Sequence, residues 1–166
     1  MQLLRAEHAG AIREFELANR SFFAASISDR GDAFFDRFEE SFGQLLAEQA
    51  AGQGAYYLLL DDGAAVLGRF NLYLGRPGIA DLGYRVGEPV TGRGVATAGV
   101  GQLCRLAVAD HGLRRLRAAV SHANRASQRV LLKSGFELVG PAEPGDLGGK
   151  AGDWYERELT GRPQPG

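Results

Sequence analysis

Midway along the chain lies the segment Thr91-Gly92-Arg93-Gly94-Val95-Ala96-Thr97, which follows a predicted strand and opens a predicted helix. The first turn of a helix leaves its backbone N–H groups unpaired and carries partial positive charge. Glycines remove side chains from such a turn, so a phosphate group can approach the backbone, and Arg93 adds a positive charge. The segment therefore predicts a pyrophosphate site, although a plain tight turn would use the same glycines.

Two common nucleotide-binding patterns do not fit this loop. A P-loop continues with Gly-Lys-Ser or Gly-Lys-Thr, and no such lysine follows Gly94. A dinucleotide-binding loop needs the pattern Gly-x-Gly-x-x-Gly in the first strand–helix unit of its sheet. Here Thr97 stands where the third glycine would be, and the loop comes after a run of predicted antiparallel strands. Both patterns are therefore disfavoured.

The segments around the loop predict a mixed α/β domain. Alternating apolar residues predict strands, and apolar residues at three- and four-residue steps predict helices. A strand, a helix and a second strand in succession predict a parallel pair, because a crossover helix returns the chain in the same direction. The predicted strands are 1–5, 55–60, 64–74, 79–86, 116–120, 136–139 and 154–159, and the predicted helices are 9–19, 32–52, 96–111 and 125–134, with connections at 21–31 and 141–152.

Length and composition indicate one globular domain. The chain has 166 residues, about the size of a single domain, and we expect that domain over residues 1–160 with a disordered tail at 161–166. Cys104 is the single cysteine and the three histidines show no ligand spacing, so we expect neither disulfides nor a metal site. No apolar run approaches the ~20 residues of a membrane span, and the first residues lack a signal-peptide pattern. These features predict a cytoplasmic protein, monomeric or homodimeric, without membrane contact.

Charge is unevenly distributed along the chain. The net charge is −1, which argues against a nucleic-acid-binding protein. Residues 1–60 carry −4, residues 61–100 are neutral, residues 101–135 carry +6 and residues 136–166 carry −3. The basic segment suits a polyanionic ligand, and the acidic remainder is compatible with a cationic partner, although solvated helix faces would give the same counts.

A second motif begins at Asn124, where a predicted strand ends and a predicted helix starts. Asn124 is a favourable helix cap, and Ser127 and Leu131 lie on the same helical face, three and seven residues further on. Taken alone, Asn124 can be a cap and nothing more, with Ser127 incidental. The helix ends with Lys133-Ser134-Gly135-Phe136, where the glycine predicts a stop.

Together these motifs resemble the acetyl-CoA motifs of the GNAT N-acetyltransferase superfamily. The matching residues are Gly83-Tyr84-Arg85-Val86, the loop Thr91 to Thr97, Asn124-Arg125-Ala126-Ser127 and Lys133-Ser134-Gly135-Phe136. The group most similar in these motifs is the ribosomal-protein-serine/alanine N-acetyltransferases. The resemblance implies a mostly antiparallel sheet of about seven strands, helices on both faces and a splayed parallel strand pair. Thr91 and Arg85 depart from the residues common in that group.

The resemblance also implies a set of site residues. The cosubstrate would be acetyl-CoA (coenzyme A), and the acceptor would be a primary amine of a small molecule or a protein N terminus. Ser127 would donate to the leaving thiolate, because Leu131 stands where many relatives have a tyrosine. Asp81 would take the proton of the amine, with Glu88, Glu137 and Asp153 as alternatives. The cofactor-binding residues would be Tyr84, Arg85, Val86, Thr91, Gly92, Arg93, Gly94, Val95, Ala96, Thr97 and Asn124.

Two other functions fit the same motifs. A non-catalytic acyl-CoA-binding module would bind coenzyme A without turnover, and Leu131 in place of a catalytic tyrosine favours this alternative. A binder of nucleotide phosphates without thiol chemistry would accept ATP or NAD as well as coenzyme A. Release of free thiol in the presence of amines separates the enzyme from both alternatives.

Overall fold

The protein is described by a computed structural model of residues 1–159; residues 160–166, which include the predicted tail 161–166, lie outside the described part. The strands are β1 (Gln2–Leu3), β2 (Gly54–Leu60), β3 (Val66–Arg76), β4 (Ile79–Val86), β5 (Arg115–Ser121), β6 (Glu137–Ala142) and β7 (Gly152–Glu158). The α-helices are α1 (Ala9–Ala18), α2 (Arg20–Ala24), α3 (Asp32–Asp36), α4 (Phe38–Ala50), α5 (Val95–Ala109) and α6 (Arg125–Lys133). The strands form one sheet in the order β1-β2-β3-β4-β5-β7-β6.

The sheet contains the predicted parallel pair, β4 and β5. These strands pair only from Ile79 opposite Arg115 to Asp81 opposite Arg117, whereas β4 continues to Val86 and β5 to Ser121. Each strand stays bonded to its outer neighbour, β4 to β3 and β5 to β7, so the two halves of the sheet separate between them. The described neighbours elsewhere in the sheet are antiparallel. This confirms the predicted mixed sheet with a splayed parallel pair.

Two apolar clusters hold the helices against opposite faces of the sheet. One contains Phe70, Leu72 and Leu103 and joins β3, β4 and β5 to α5. The other contains Ile12 and Phe42 and joins β2 to α1 and α4. A Cβ added at Gly99 would overlap the ring of Phe70, so the glycine allows α5 to approach β3 closely. The helices therefore cover both faces, as predicted.

The N-terminal helices differ from the prediction. The predicted helix 32–52 is two helices, α3 and α4, because Arg37 leaves helical geometry with φ −110° and ψ 26°. The predicted connection 21–31 overlaps helix α2, where Phe23 packs on Phe15 with ring centroids 5.6 Å apart. Tertiary packing of the phenylalanines thus determines the path of this region more than local propensity does. None of the described helices has the length and hydropathy needed to cross a membrane.

Candidate active site

A cavity of about 460 Å³ lies where β4 and β5 separate. Its walls are Leu82–Arg85 of β4, Ala118–Ser121 of β5, the start of α6, and Arg69, Asn71 and Tyr73 of β3. Two loops complete the lining: one contributes Ser26, Ile27, Ser28 and Arg30, and the other contributes Asp146, Leu147, Gly148 and Lys150. The Lys150 ammonium donates a hydrogen bond to the Ser26 carbonyl at 3.1 Å and ties these loops together. The splayed strands therefore open into a cavity that these two loops border.

Hydroxyl groups from two elements meet in this cavity. Asn124 caps α6 by accepting a hydrogen bond from the Ser127 backbone N–H at 3.2 Å, which places Ser127 in the first turn. The Ser127 hydroxyl lies 2.9 Å from the Tyr84 hydroxyl, and the Tyr84 ring stacks on Phe70. Burial raises the pKa of Tyr84 to about 12, partly offset by the hydrogen bond with Ser127. Tyr84 is therefore protonated at neutral pH and available as a donor to Ser127.

The glycine loop precedes α5. Gly92 and Gly94 have φ of +77° and +75°, and a Cβ at either residue would meet open space. Other L-residues adopt this left-handed conformation at a cost of about 1–2 kcal/mol, so the backbone requires glycine there. Gly94 is the residue that precedes α5, and Thr91 donates to the Gly87 carbonyl at 3.2 Å. The loop thus presents an unobstructed backbone at the start of a 15-residue helix, which fits a pyrophosphate.

The structure brings only part of the predicted site together around the cavity. Tyr84, Arg85, Asn124 and Ser127 line it. Val86 packs against the apolar core, and the loop 91–97 lies outside the lining.

The predicted proton acceptor Asp81 also lies outside the lining. It occupies the paired part of β4, is 40% exposed and forms an ion pair with Arg76 at 3.1 Å. The alternatives Glu88, Glu137 and Asp153 are not lining residues either, and Asp153 lies 3.0 Å from His122.

Asp146 is a cavity carboxylate that sequence reasoning missed. It lies in a short 3₁₀ turn, Pro144–Leu147, inside a segment whose glycines and prolines predict only a loop. Its Oδ2 accepts a hydrogen bond from the Glu143 N–H at 3.1 Å, which fixes the carboxylate. The capping pattern of Glu143 and Asp146 around a proline was the available signal.

A buried charge cluster was also missed. Glu16 of α1 is 2% exposed and accepts hydrogen bonds from Arg69 at 2.5 Å and from Arg85 at 2.9 Å. Arg30 lies 3.8 Å from the same carboxylate. The available signal was an acid on the face of α1 that also carries the buried Ile12. We call Glu16, Arg30, Arg69 and Arg85 the arginine cluster.

The basic segment 101–135 is partly neutralised by β7. Arg115 forms ion pairs with Glu156 and Glu158, and Arg117 lies 3.2 Å from Glu156. These two arginines therefore belong to the sheet. The other basic residues of the segment form no ion pair within residues 1–159 and remain available to a polyanion; they are Arg105, Arg114, Arg125, Arg129 and Lys133.

Fold and site together are those of an acyl-CoA-dependent transferase. The family model described as "Acetyltransferase (GNAT) domain" matches residues 3–137, so the chain belongs to the GNAT acetyltransferase family. This confirms the prediction of an N-acetyltransferase with acetyl-CoA as cosubstrate. A search of curated protein sequences gave no match.

Solved structures share the fold over nearly the whole chain. Ribosomal-protein-S5-alanine acetyltransferase from Vibrio fischeri matches with a TM-score of 0.85 and 20% identity, covering 95% of this chain and 91% of that chain. A ribosomal L7/L12 α-N-protein acetyltransferase in complex with coenzyme A gives 0.82 and 18%, with coverage of 95% and 92%. An aminoglycoside acetyltransferase in complex with coenzyme A gives 0.77 and 17%, with coverage of 95% and 92%. At these identities the likeness is one of fold.

Proposed function

We propose that the protein acetylates a primary amine, of a protein N terminus or of a small molecule, by direct attack of the amine on acetyl-CoA in a ternary complex. The observation that carries this proposal is the Tyr84–Ser127 hydroxyl pair inside the cavity between the splayed strands. Bound acetyl-CoA supplies the thioester carbon that the amine attacks. The structural relatives named above act on protein N termini and on an aminoglycoside, which supports both acceptor classes.

The cofactor-binding roles fall on main-chain groups. The backbone around Gly92 and Gly94 would hold the diphosphate, with Arg93 adding charge and Val95 to Thr97 contributing the first turn of α5. The unpaired edge of β4 from Tyr84 to Val86 would bond the pantetheine arm, because β5 no longer occupies that edge. Asn124 would add its side-chain amide. The buried Ser121 hydroxyl has no partner within the described residues and is a further donor on the β5 side.

Ser127 is the proposed donor to the leaving thiolate. Tyr84 can donate its proton to the Ser127 oxygen, which leaves the serine O–H free to point at the sulfur. A serine hydroxyl is a weaker acid than a thiol, so we expect Ser127 to stabilise the developing charge by a hydrogen bond rather than to give up its proton fully.

The proton of the amine needs a second group. Asp146 is the described carboxylate that lines the cavity, so we propose it as the acceptor of that proton, directly or through water. Asp81 stays a prediction of the sequence; its ion pair with Arg76 and its place outside the lining make it the natural comparison. Asp146→Asn should lower kcat by about a hundredfold if the carboxylate is a general base, whereas Asp81→Asn should change kcat little.

The test is release of free thiol from acetyl-CoA in the presence of peptides and small amines. We expect Ser127→Ala to lower kcat by about tenfold to a hundredfold, the value of one hydrogen bond to a charged group, with KM for acetyl-CoA nearly unchanged. Ser21→Ala, on the exposed side of α2, is the matched control. Tight coenzyme A binding without thiol release across the panel would instead identify the non-catalytic binding module.

A further inference from the structure

The arginine cluster places like charges directly opposite each other. Arg69 of β3 and Arg85 of β4 are register partners across the antiparallel ladder. Like charges in this arrangement destabilise a sheet, and both side chains are withdrawn from water, with exposures of 6% and 19%. Glu16 compensates one positive charge of the three that Arg30, Arg69 and Arg85 bring. Stability alone gives no reason for this excess.

The excess charge faces the cavity. Arg30, Arg69, Arg85 and Lys150 line it, and within residues 1–159 Asp146 is the single carboxylate of the lining. The sequence carries acidic residues in the N-terminal helices, and these suggest a cationic acceptor. Within residues 1–159, none of them lines the cavity. The cavity therefore has a positive field on the side away from Ser127's helix.

The three guanidinium groups are held in place and keep donors free. Arg30 lies over the Phe34 ring at 4.6 Å and Arg85 over the Phe23 ring at 4.8 Å. Within the described residues, Arg69 and Arg85 each donate one side-chain hydrogen bond to Glu16, out of five N–H groups per guanidinium. Burial, together with repulsion between the arginines, lowers the pKa of Arg30 and of Arg85, and Glu16 opposes this shift. An incoming anion would relieve that repulsion.

A neutral acceptor atom lies beside these donors. The Asn71 Oδ1 atom is buried in the cavity wall without a hydrogen-bond partner in the described structure. Asn71 is two residues from Arg69 on β3, so both side chains lie on the same face of the sheet. An unpaired carbonyl oxygen suits an amine N–H, whereas the guanidinium groups suit a planar oxyanion.

We propose that the acceptor carries a carboxylate close to its amine, as in an α-amino acid or in a peptide with an acidic residue next to its N terminus. The carboxylate binds Arg30, Arg69 and Arg85. The N–H group near Asn71 is the amine itself in an amino acid, or the amine or first peptide N–H in a peptide. This inference rests on the proposed function, since it assigns the substrate class of the same cavity. It disfavours polycationic acceptors such as aminoglycosides and polyamines.

A binding measurement tests the carboxylate without requiring turnover. N-acetylglycine and N-acetylglycinamide, which lack a titratable amine and differ in the anionic group, are titrated into the coenzyme A-saturated protein by calorimetry. The pair Ac-Ser-Asp-Gly-amide and Ac-Ser-Asn-Gly-amide tests the acidic peptide in the same way. We expect the anionic member of at least one pair to bind about tenfold more tightly or better. Which pair shows the preference distinguishes an amino-acid acceptor from an acidic peptide.

Arg30→Gln is the informative variant, because Arg30 is 36% exposed and its removal leaves the Glu16 bonds to Arg69 and Arg85 intact. We expect it to reduce the preference to about threefold or less while coenzyme A affinity stays the same. Arg37→Gln, which removes an exposed arginine paired with Glu40, is the control and should keep the full preference.

Equal affinity for the anionic and amide members of both pairs in the wild-type protein would overturn the inference. A preference that survives in Arg30→Gln would overturn the assignment to the arginine cluster. Turnover of the unacetylated compounds, glycine and glycinamide as well as the Ser-Asp and Ser-Asn peptides, separates the two proposals. Equal thiol release within both pairs would support the acetyltransferase and contradict the carboxylate specificity. Carboxylate-selective binding without thiol release from any of the four would support the specificity and contradict the acetyltransferase.

Discussion

The two sides of the cavity are built on different principles. On the side that we propose for the cofactor, from β4 to α6, the candidate binding groups are main-chain groups: a splayed strand edge, two left-handed glycines and a capped helix start. On the side that we propose for the acceptor, they are side chains that come together over long distances in sequence. Glu16 and Arg69 are separated by 53 positions, and Glu16 and Arg85 by 69. A site made of backbone groups depends on local conformation, so few residue types are tolerated at its positions. A site made of charged side chains depends on the balance of positive and negative charge, so removing one charge disturbs the others.

The largest expected effect is a loss of stability when the negative charge of the arginine cluster is removed. Glu16→Ala removes the carboxylate between Arg69 and Arg85 and leaves two buried guanidinium groups facing each other. We expect the free energy of unfolding to fall by about 3–5 kcal/mol, the usual cost of breaking a buried ion pair from one side. Urea unfolding followed by circular dichroism measures this change.

Glu14→Ala is the control for that loss, since Glu14 is exposed on the same helix and should change stability by less than about 0.5 kcal/mol. Under conditions where the Glu16→Ala protein is still folded, its affinity for coenzyme A should stay within about twofold of wild type, because the cofactor side uses none of the cluster's carboxylate. A stability loss equal to that of Glu14→Ala would show that the cluster is not a coupled unit.

A substitution in the glycine loop should weaken coenzyme A binding. Gly94→Asp puts a side chain and a negative charge on a residue with φ +75° at the start of α5. We expect coenzyme A affinity to fall by about a hundredfold or more, because charge repulsion and a blocked backbone act together at the diphosphate site. Calorimetric titration of coenzyme A measures it.

Gly52→Asp separates backbone strain from ligand repulsion. Gly52 has φ +72° and open space where a Cβ would lie, as Gly94 does, but it follows the end of α4 and does not precede the start of α5. Both variants should lose stability through the left-handed conformation, about 1–2 kcal/mol, with the smaller loss in Gly94→Asp because a negative charge is favourable at a helix start and unfavourable at a helix end. Only Gly94→Asp should lose affinity for coenzyme A. Equal affinities of the two variants for coenzyme A would contradict the assignment of the diphosphate site to this loop.

The same difference explains what the sequence could predict. The glycine loop, the Asn124 cap and the meander of strands are local patterns, and the structure contains each of them where the patterns indicate. For Glu16 the local pattern indicates only an acid on the apolar face of α1 and does not identify its partners, which lie on β3 and β4. For Asp146 the local pattern indicates only a capped turn, and its position in the cavity depends on how a glycine-rich loop folds back over β5. Arg37 shows the converse, since the chain leaves helical geometry there although the apolar pattern continues through it.

Tyr84 lies where the two sides meet, and its substitution gives the smallest expected effect near neutral pH. The folded protein keeps the Tyr84 proton up to a pKa of about 12, whereas the unfolded chain releases it near 10. Between these values the unfolded state binds fewer protons, so stability falls as pH rises, by at most about 1.4 kcal/mol per pH unit from this residue. Below about pH 10 Tyr84 is protonated in both the folded and the unfolded state, so it adds no pH dependence to the free energy of unfolding.

Tyr84→Phe should remove that contribution while keeping the ring on Phe70. At pH 8 we expect a loss of about 1 kcal/mol, from the hydrogen bond to Ser127. Above about pH 10 the variant's stability should decline less steeply than that of wild type, although burial also raises the pKa of Tyr56, Tyr57 and Tyr155 and keeps some slope in both proteins. Parallel declines from pH 10 to 12 would mean that the Tyr84 hydroxyl reaches solvent through the cavity and that burial does not raise its pKa.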